Sequence, residues 1–168
     1  MMIIRPATSK DAQAVRTVAV KSWMDTYGTF YTKEETEEFM ETVYAYDNLL
    51  KSISESESSE NHHFLVSEED GSITGIMEII KREAGWEILR LYVLPEFQRQ
   101  KIGTELLAAV MQTVKKGPLR VCVEVRNQRG LAFYRKAGFS ETKRQKDDFF
   151  VLTGELLVLE KALDGIAI

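Results

Sequence analysis

The sequence predicts one domain of mixed α/β (α+β) class, a sheet flanked by helices. Three observations lead there. The chain has 168 residues, 44% of them hydrophobic, and a chain of that size buries on the order of 70% of its unfolded surface without cross-links. Apolar spacing changes along the chain between alternation and helical recurrence. Gly, Pro and Asn punctuate those changes, so that short strands and helices succeed one another, with a hairpin mid-chain and two strands at the end.

In order, residues 2–5 alternate and read as a strand. Thr8-Ser9-Lys10-Asp11 fits a capping box, and Val15, Val18, Ala19 and Trp23 continue at helical spacing, giving a helix over 9–26. Thr32 followed by Glu34, Glu35 and Glu37 places carboxylates in a helix first turn, where the dipole favours them. A short third helix is expected at 47–55, and Ser52 to Glu60 reads as a mobile loop or helix end. His62 to Glu68 and Ser72 to Lys81 are strands joined by Glu69-Asp70-Gly71, an Asp-Gly hairpin signal. Residues 86–94 form a strand that Pro95 stops. Beyond the loop 95–101, Ile102, Leu106, Leu107, Val110, Met111 and Val114 mark an amphipathic helix to about residue 115, ended by Gly117-Pro118. Leu119 to Val125 is a β-branched strand. Asn127 caps a helix through Ala137, with Gly138 as its left-handed C-terminal residue. Strands at 139–146 and 150–161 complete the order.

Composition excludes several classes. The single cysteine, Cys122, rules out an internal disulfide framework and a cysteine-rich zinc finger. It reads as a small core hydrophobe. No run of about 18 apolar residues offers a membrane span, and the N-terminus lacks a secretory h-region, so a cytoplasmic protein without membrane partners is expected. The net charge of −4 argues against nucleic acid as a partner. The charge is unevenly placed, with twelve acidic residues and one basic residue, Lys51, between Glu34 and Asp70. That zone is either a solvated face or a field that handles cations. His62 and His63 are adjacent, so strand alternation sends them to opposite faces and no metal site is expected.

The informative segment is Gln98-Arg99-Gln100-Lys101-Ile102-Gly103-Thr104, where a strand turns into a helix. A helix N-terminus offers unpaired N–H groups and partial positive charge, preceding loop amides can form an anion cradle, and Arg99 and Lys101 add charge. Neither Gly-x-x-x-x-Gly-Lys-[Ser/Thr] nor Gly-x-Gly-x-x-Gly occurs, which disfavours a nucleotide hydrolase and a dinucleotide fold.

These residues resemble the central motif of the GNAT superfamily of N-acetyltransferases, Gln/Arg-x-x-Gly-x-Gly/Ala. Gln98 and Gly103 match its ends, while Lys101 stands where a glycine is usual. A second family motif is matched by Asn127, Ala132, Phe133, Tyr134, Gly138 and Phe139, at the usual separation. The length and the run from Leu91-Tyr92-Val93 to Phe97-Gln98 are similar to the polyamine-acetyltransferase branch. The resemblance implies a mostly antiparallel, twisted sheet of about seven strands with splayed central parallel strands. It implies acetyl transfer from acetyl-CoA directly to a primary amine, with a cationic small molecule such as a polyamine as acceptor. Protein lysine or N-terminal acetylation, or a non-catalytic acyl-CoA-binding regulatory domain, are the alternatives.

The resemblance also implies roles. Arg99, Gln100, Lys101, Ile102, Gly103 and Thr104 with Gln98 would hold the pyrophosphate. Backbone N–H groups at Tyr92 and Val93 would orient the thioester carbonyl, with Leu91 lining the pantetheine slot and Phe133 beside it. Tyr134 is the candidate acid for the thiolate leaving group, against a plain core aromatic. Glu87 is the candidate base: strand alternation gives it the parity of Leu89 and Leu91, against an edge carboxylate in solvent. Asn127 and Lys136 are cofactor contacts, or a helix cap and a solvated lysine. The aromatic run Trp23, Tyr27, Phe30 and Tyr31 packs the core or walls the acceptor pocket. Edge strands near the C-terminus offer a surface for pairing two chains as a homodimer.

Overall fold

The structure is a computed structural model that describes residues 1–114, 116–147 and 154–164. β1 (Met2–Pro6) leads through a 3-10 turn, Ser9–Asp11, into α1 (Ala12–Tyr27), followed by α2 (Lys33–Thr42) and α3 (Tyr46–Glu57). β2 (His62–Glu69), β3 (Ser72–Arg82) and β4 (Gly85–Val93) form a meander. Then come α4 (Ile102–Thr113), β5 (Lys116–Glu124), α5 (Gln128–Lys136), β6 (Ser140–Asp147) and β7 (Gly154–Asp164). The turn expected near Asp147-Asp148 and the start expected for the last strand at 150 fall partly outside the described residues.

Local chemistry explains most boundaries. The capping box at Thr8 is present, but it closes the 3-10 turn rather than α1. Its Asp11 also accepts both guanidinium arms of Arg5 from β1, at 2.8 and 2.9 Å. Thr32 and Glu35 form a second capping box on α2. Asp70 and Gly71 take φ of 51° and 83°, the paired left-handed conformations that a two-residue hairpin turn needs. Residues Ser52 to Glu57, polar and repetitive, continue α3, because Leu49 and Ile53 are buried beneath them.

One seven-stranded sheet has the order β1-β2-β3-β4-β5-β7-β6. Every pairing is antiparallel except β4 with β5. On one face α1, α2 and α3 bury Val15, Val18, Trp23, Phe39, Leu49 and Ile53 against Phe64 and Ile76. On the other, α4 and α5 bury Ile102, Leu106, Val110 and Leu131 against Ile79, Ile88 and Val121. Each such aliphatic side chain contributes roughly 1.5–3 kcal/mol of burial.

Two irregularities shape the centre. The β3–β4 register runs Glu78↔Arg90 and then Ile79↔Ile88, so Leu89 is an extra residue, a β-bulge. The β4–β5 register holds only from Trp86↔Leu119 to Ile88↔Val121. Beyond Ile88 the two parallel strands part, and a gap opens between Leu91-Tyr92-Val93 on one side and Val123-Glu124 on the other.

Candidate active site

The parting of β4 from β5 leaves backbone groups without a strand partner. The Leu94 N–H donates to the Thr74 carbonyl at 2.9 Å, which makes Gly75↔Val93 a non-hydrogen-bonded pair of the β3–β4 ladder. Val93, and Leu91 two residues before it, therefore direct their N–H groups away from β3 and into the gap. Tyr92 directs its own to β3. This corrects one expectation: Tyr92 turns its amide to β3, and its side chain leaves the sheet on the face of α1 to α3, toward Tyr44. The Val93 carbonyl is held by the Ser22 hydroxyl at 2.9 Å and by the Gln98 amide at 3.2 Å, which fixes the end of the strand.

The loop before α4 has an unusual backbone. Arg99 and Lys101 both have positive φ, 67° and 64°, so Lys101 adopts the left-handed conformation for which glycine is usual in this motif. The first-turn N–H groups at Ile102, Gly103 and Thr104 have no helical acceptor, and Glu105 is the first to bond back, to the Lys101 carbonyl. A Cβ on Gly103 would lie 3.3 Å from the Phe133 ring, so α4 approaches α5 closely there. Ile102 is a core residue and presents only its backbone, whereas Gln100, Lys101 and Thr104 are exposed. This loop fits a pyrophosphate: aligned free amides, a helix N-terminus and two cations.

Gln98 and Asn127 work differently from simple ligand contacts. The Gln98 side chain is bonded at both ends, since its Oε1 accepts from Arg129 at 2.8 Å, and Arg129 also reaches Asp25 at 2.8 Å. Asn127 caps α5 by accepting from the Gly130 N–H at 2.9 Å, and its Nδ2 donates to the Tyr27 hydroxyl at 3.1 Å. Lys136, in the last turn of α5, is exposed.

Tyr134 lies on the buried side of α5 with its ring against Phe133 and Phe139. Its hydroxyl has no hydrogen-bond partner among the described residues. Yet the only sealed, unsatisfied side-chain atom among them is Thr36 Oγ1, so the Tyr134 hydroxyl reaches solvent-accessible space. Burial pushes this phenol well above its ordinary value, and the nearby Tyr92 and Tyr27 hydroxyls add to the effect.

Glu87 requires a correction. The Leu89 bulge reverses alternation between residues 87 and 91, so Glu87 does not share the face of Leu91. Its cross-strand partner Ile80 has the parity of Glu78, which places Glu87 on the face of Tyr92 and Arg90. Its carboxylate accepts from Arg82 at 2.8 Å. Cys122 is also corrected: it alternates away from the buried Val121 and Val123 and is half-buried on the opposite face, with Gln145 at 4.0 Å. His62 and His63 do face opposite sides. His62 meets Glu78 at 2.7 Å, and His63 packs beside Trp86.

The aromatic run divides. Trp23 is core, stacked on Tyr31 and Phe39, while the Tyr27 and Tyr31 hydroxyls meet Asn127 and Arg126 beyond the end of β5, and Phe30 lies under Arg126. Tyr44, after α2, hydrogen-bonds Tyr92 hydroxyl to hydroxyl and lies under Arg90. Behind it the buried Glu78 bonds both Arg90 and His62. Sequence reasoning missed this network, although a lone glutamate inside the apolar run 72–81 was a visible signal. It also missed Glu124, whose buried carboxylate at the end of β5 holds Arg126 at 2.9 Å.

A seven-stranded mixed sheet that parts between two parallel strands, beside a left-handed loop opening a helix, defines a class of acyl-CoA-dependent transferases. The family model described as "Acetyltransferase (GNAT) domain" matches residues 29–152, and the chain belongs to that family of acetyltransferases. It is 33% identical over 153 residues to a spermidine N(1)-acetyltransferase of Thermoplasma acidophilum, covering 88% of this chain and 94% of that protein. Among solved structures it is similar to the PaiA N-acetyltransferase of Thermoplasma acidophilum in complex with coenzyme A, with a TM-score of 0.84, 29% identity, and coverage of 96% of this chain and 99% of that one. The ribosomal-protein-S18-alanine N-acetyltransferase of Escherichia coli shares the fold, with a TM-score of 0.72 at 14% identity over 99% of this chain and 97% of that one. No helix among the described residues is long and apolar enough to cross a membrane.

Proposed function

We propose that this acetyltransferase moves the acetyl group of acetyl-CoA directly onto the primary amine of a small cationic acceptor such as a polyamine, both substrates being bound together. The observation that carries the reading is the gap beyond Ile88. It leaves the Leu91 and Val93 amides without a strand partner, and in this reading the solvent-reaching Tyr134 hydroxyl, close to Tyr92 and Tyr27, faces them while the left-handed loop of Arg99 to Thr104 serves as the anion cradle. In this reading Val93 N–H meets the charge that develops on the thioester oxygen. Leu91 and Phe133 line the slot, and Lys136 adds a cation on α5. Tyr134, kept protonated by burial, gives its proton to the departing thiolate. An alkylammonium has a pKa near 10.4, so the acceptor must lose a proton, and Glu87, acting through water, is the strand carboxylate proposed to take it.

Two facts support a cationic acceptor. A relative at 33% identity is named for action on spermidine. Tyr44 ties the end of α2 to Tyr92 at the gap, which brings the exposed Glu34, Glu37, Glu38 and Glu41 to the acceptor side, where they attract cations at a range that salt shortens. The deciding measurement is thiol release from acetyl-CoA with a panel of amines at several ionic strengths. Spermidine is expected to lead, with a second-order rate constant that falls as salt rises. Reversal of Glu34, Glu37 and Glu38 to lysine is expected to raise KM for spermidine and leave KM for acetyl-CoA alone. Glu35 is left out because it closes the capping box. Indifference to both salt and reversal would leave these carboxylates as a solubilising face.

A further inference from the structure

We infer that Glu124, Phe30 and Tyr31 form a cage for the acceptor's cationic group, and that the protein's own Arg126 guanidinium fills this cage as a displaceable stand-in. The inference rests on the proposed reaction with a cationic amine and names the groups that would recognise it.

Glu124 ends β5 where β4 has already left it. Glu124 is 5% exposed, a costly position for a charge unless it is paired. Among the described residues the pairing comes from Arg126: Oε1 accepts from Nε at 2.9 Å and Oε2 from the backbone N–H at 3.1 Å. The same guanidinium lies over two aromatic faces, with Cζ 4.6 Å from the Phe30 ring centre and 5.2 Å from that of Tyr31. Its Nη2 also donates to the Tyr31 hydroxyl at 3.0 Å. A buried carboxylate with aromatic walls is the chemistry that recognises an organic cation.

The occupant is not locked in. Arg126 keeps 39% of its side chain exposed and can swing outward without crossing the core. Glu78 makes the contrast, because both of its partners, Arg90 and His62, are themselves largely buried. Glu87 is held by an exposed arginine, but no aromatic ring lies over Arg82 among the described residues. Among the described residues, only Glu124 combines a buried anion, aromatic walls and an exposed occupant. The cage also adjoins the gap. Asn127, the next residue, bonds Tyr27, and Tyr27 packs edge-on against Phe30. An ammonium entering over α2 would meet the cage on its way to Val93 and Tyr134.

The test uses three variants and two probes, spermidine in turnover and methylguanidinium in calorimetry. Arg126→Met removes the resident charge and keeps bulk. It is expected to lower KM for spermidine about three- to tenfold and to let methylguanidinium bind competitively with spermidine. Glu124→Gln is expected to raise that KM about tenfold or more and to abolish methylguanidinium binding. Both should leave KM for acetyl-CoA within about twofold, which general damage to the fold would not do. Arg126→Lys keeps the charge but lacks the planar fork, so it should move KM in the same direction as Arg126→Met by a smaller factor if the methionine variant does not fold. Spermidine turnover with a KM that none of the substitutions changes overturns the cage and leaves the reaction standing. No turnover of any cationic amine, with methylguanidinium still captured by Arg126→Met, overturns the acceptor reading and keeps the cage.

Discussion

A phenol whose ring is buried, while its hydroxyl reaches solvent-accessible space and bonds none of the described residues, gains little stability from that hydroxyl. Tyr134 is in that position, and its raised pKa keeps it a proton donor throughout the neutral range. Tyr134→Phe is expected to fold at least as stably, to bind coenzyme A with parent affinity by calorimetry, and to turn over about 10²- to 10⁴-fold more slowly. Turnover within about twofold of the parent would remove it from the mechanism. Glu87 sits under an exposed arginine, so Glu87→Gln is the sharper question. If Glu87 takes the amine's proton, the variant loses rate at neutral pH and recovers as pH rises and free amine accumulates. A pH profile parallel to the parent's would assign the proton to bulk water instead.

The decisive element is the turn from β4 into α4. Its two left-handed residues, Arg99 and Lys101, are not glycines, and a side chain there costs roughly 1 kcal/mol each. The loop keeps its amides aligned in spite of that cost because both ends are fixed. Gln98 is tied to Val93 and Arg129, and Ile102 is buried in the core. Lys101→Gly should therefore leave the fold intact and raise the melting temperature or hold it level, with up to about 1 kcal/mol of strain relief offset in part by the greater freedom of glycine in the unfolded chain. A β-branched residue at the same position should lower it. Thermal melts of the two variants side by side check the conformation, and coenzyme A calorimetry on the glycine variant isolates the worth of the lysine charge.

At the scale of the whole molecule, four tyrosines share the central region. Burial raises Tyr27, Tyr92 and Tyr134 well above the ordinary tyrosine value and pushes Tyr44 up to about 12. The sign follows from proton counting. Above the ordinary value of about 10 the unfolded chain has released protons that the native state still holds. The protonated cluster therefore contributes fully below about pH 10, and stability falls as pH rises from there through about 12. Melting temperatures are expected to decline steeply above pH 10, and tyrosinate absorbance should show a group that ionises only on unfolding. Tyr27→Phe together with Tyr44→Phe should soften the decline, and an unchanged slope would assign it to other groups.

Local chemistry in the sequence determined the elements and the loop that opens α4. Thr32 with Glu35, Asp70-Gly71, Asn127 and Gly138 each act within a few residues, so their caps and turns were legible, as was the helix N-terminus at Ile102. The motif residues Gln98, Gly103 and Tyr134 marked the family for the same reason: their spacing lies within single strand-to-helix units. Tertiary structure decided what depends on strand register and on contacts far apart in the chain. Alternation alone put Glu87 beside Leu91, and a single extra residue at Leu89 reversed it, since a period of two has no tolerance for one insertion. Gln98 and Asn127 were legible as polar residues at a site, but their partners, Arg129 and Tyr27, are 31 and 100 residues away. The same holds for Arg126, whose pairing with Glu124 is local but whose aromatic walls arrive from the connection between α1 and α2, 95 residues earlier at Tyr31. Spacing along a chain predicts which groups can share a helix face or a turn; which walls close around a charge is set only when the sheet brings distant segments together.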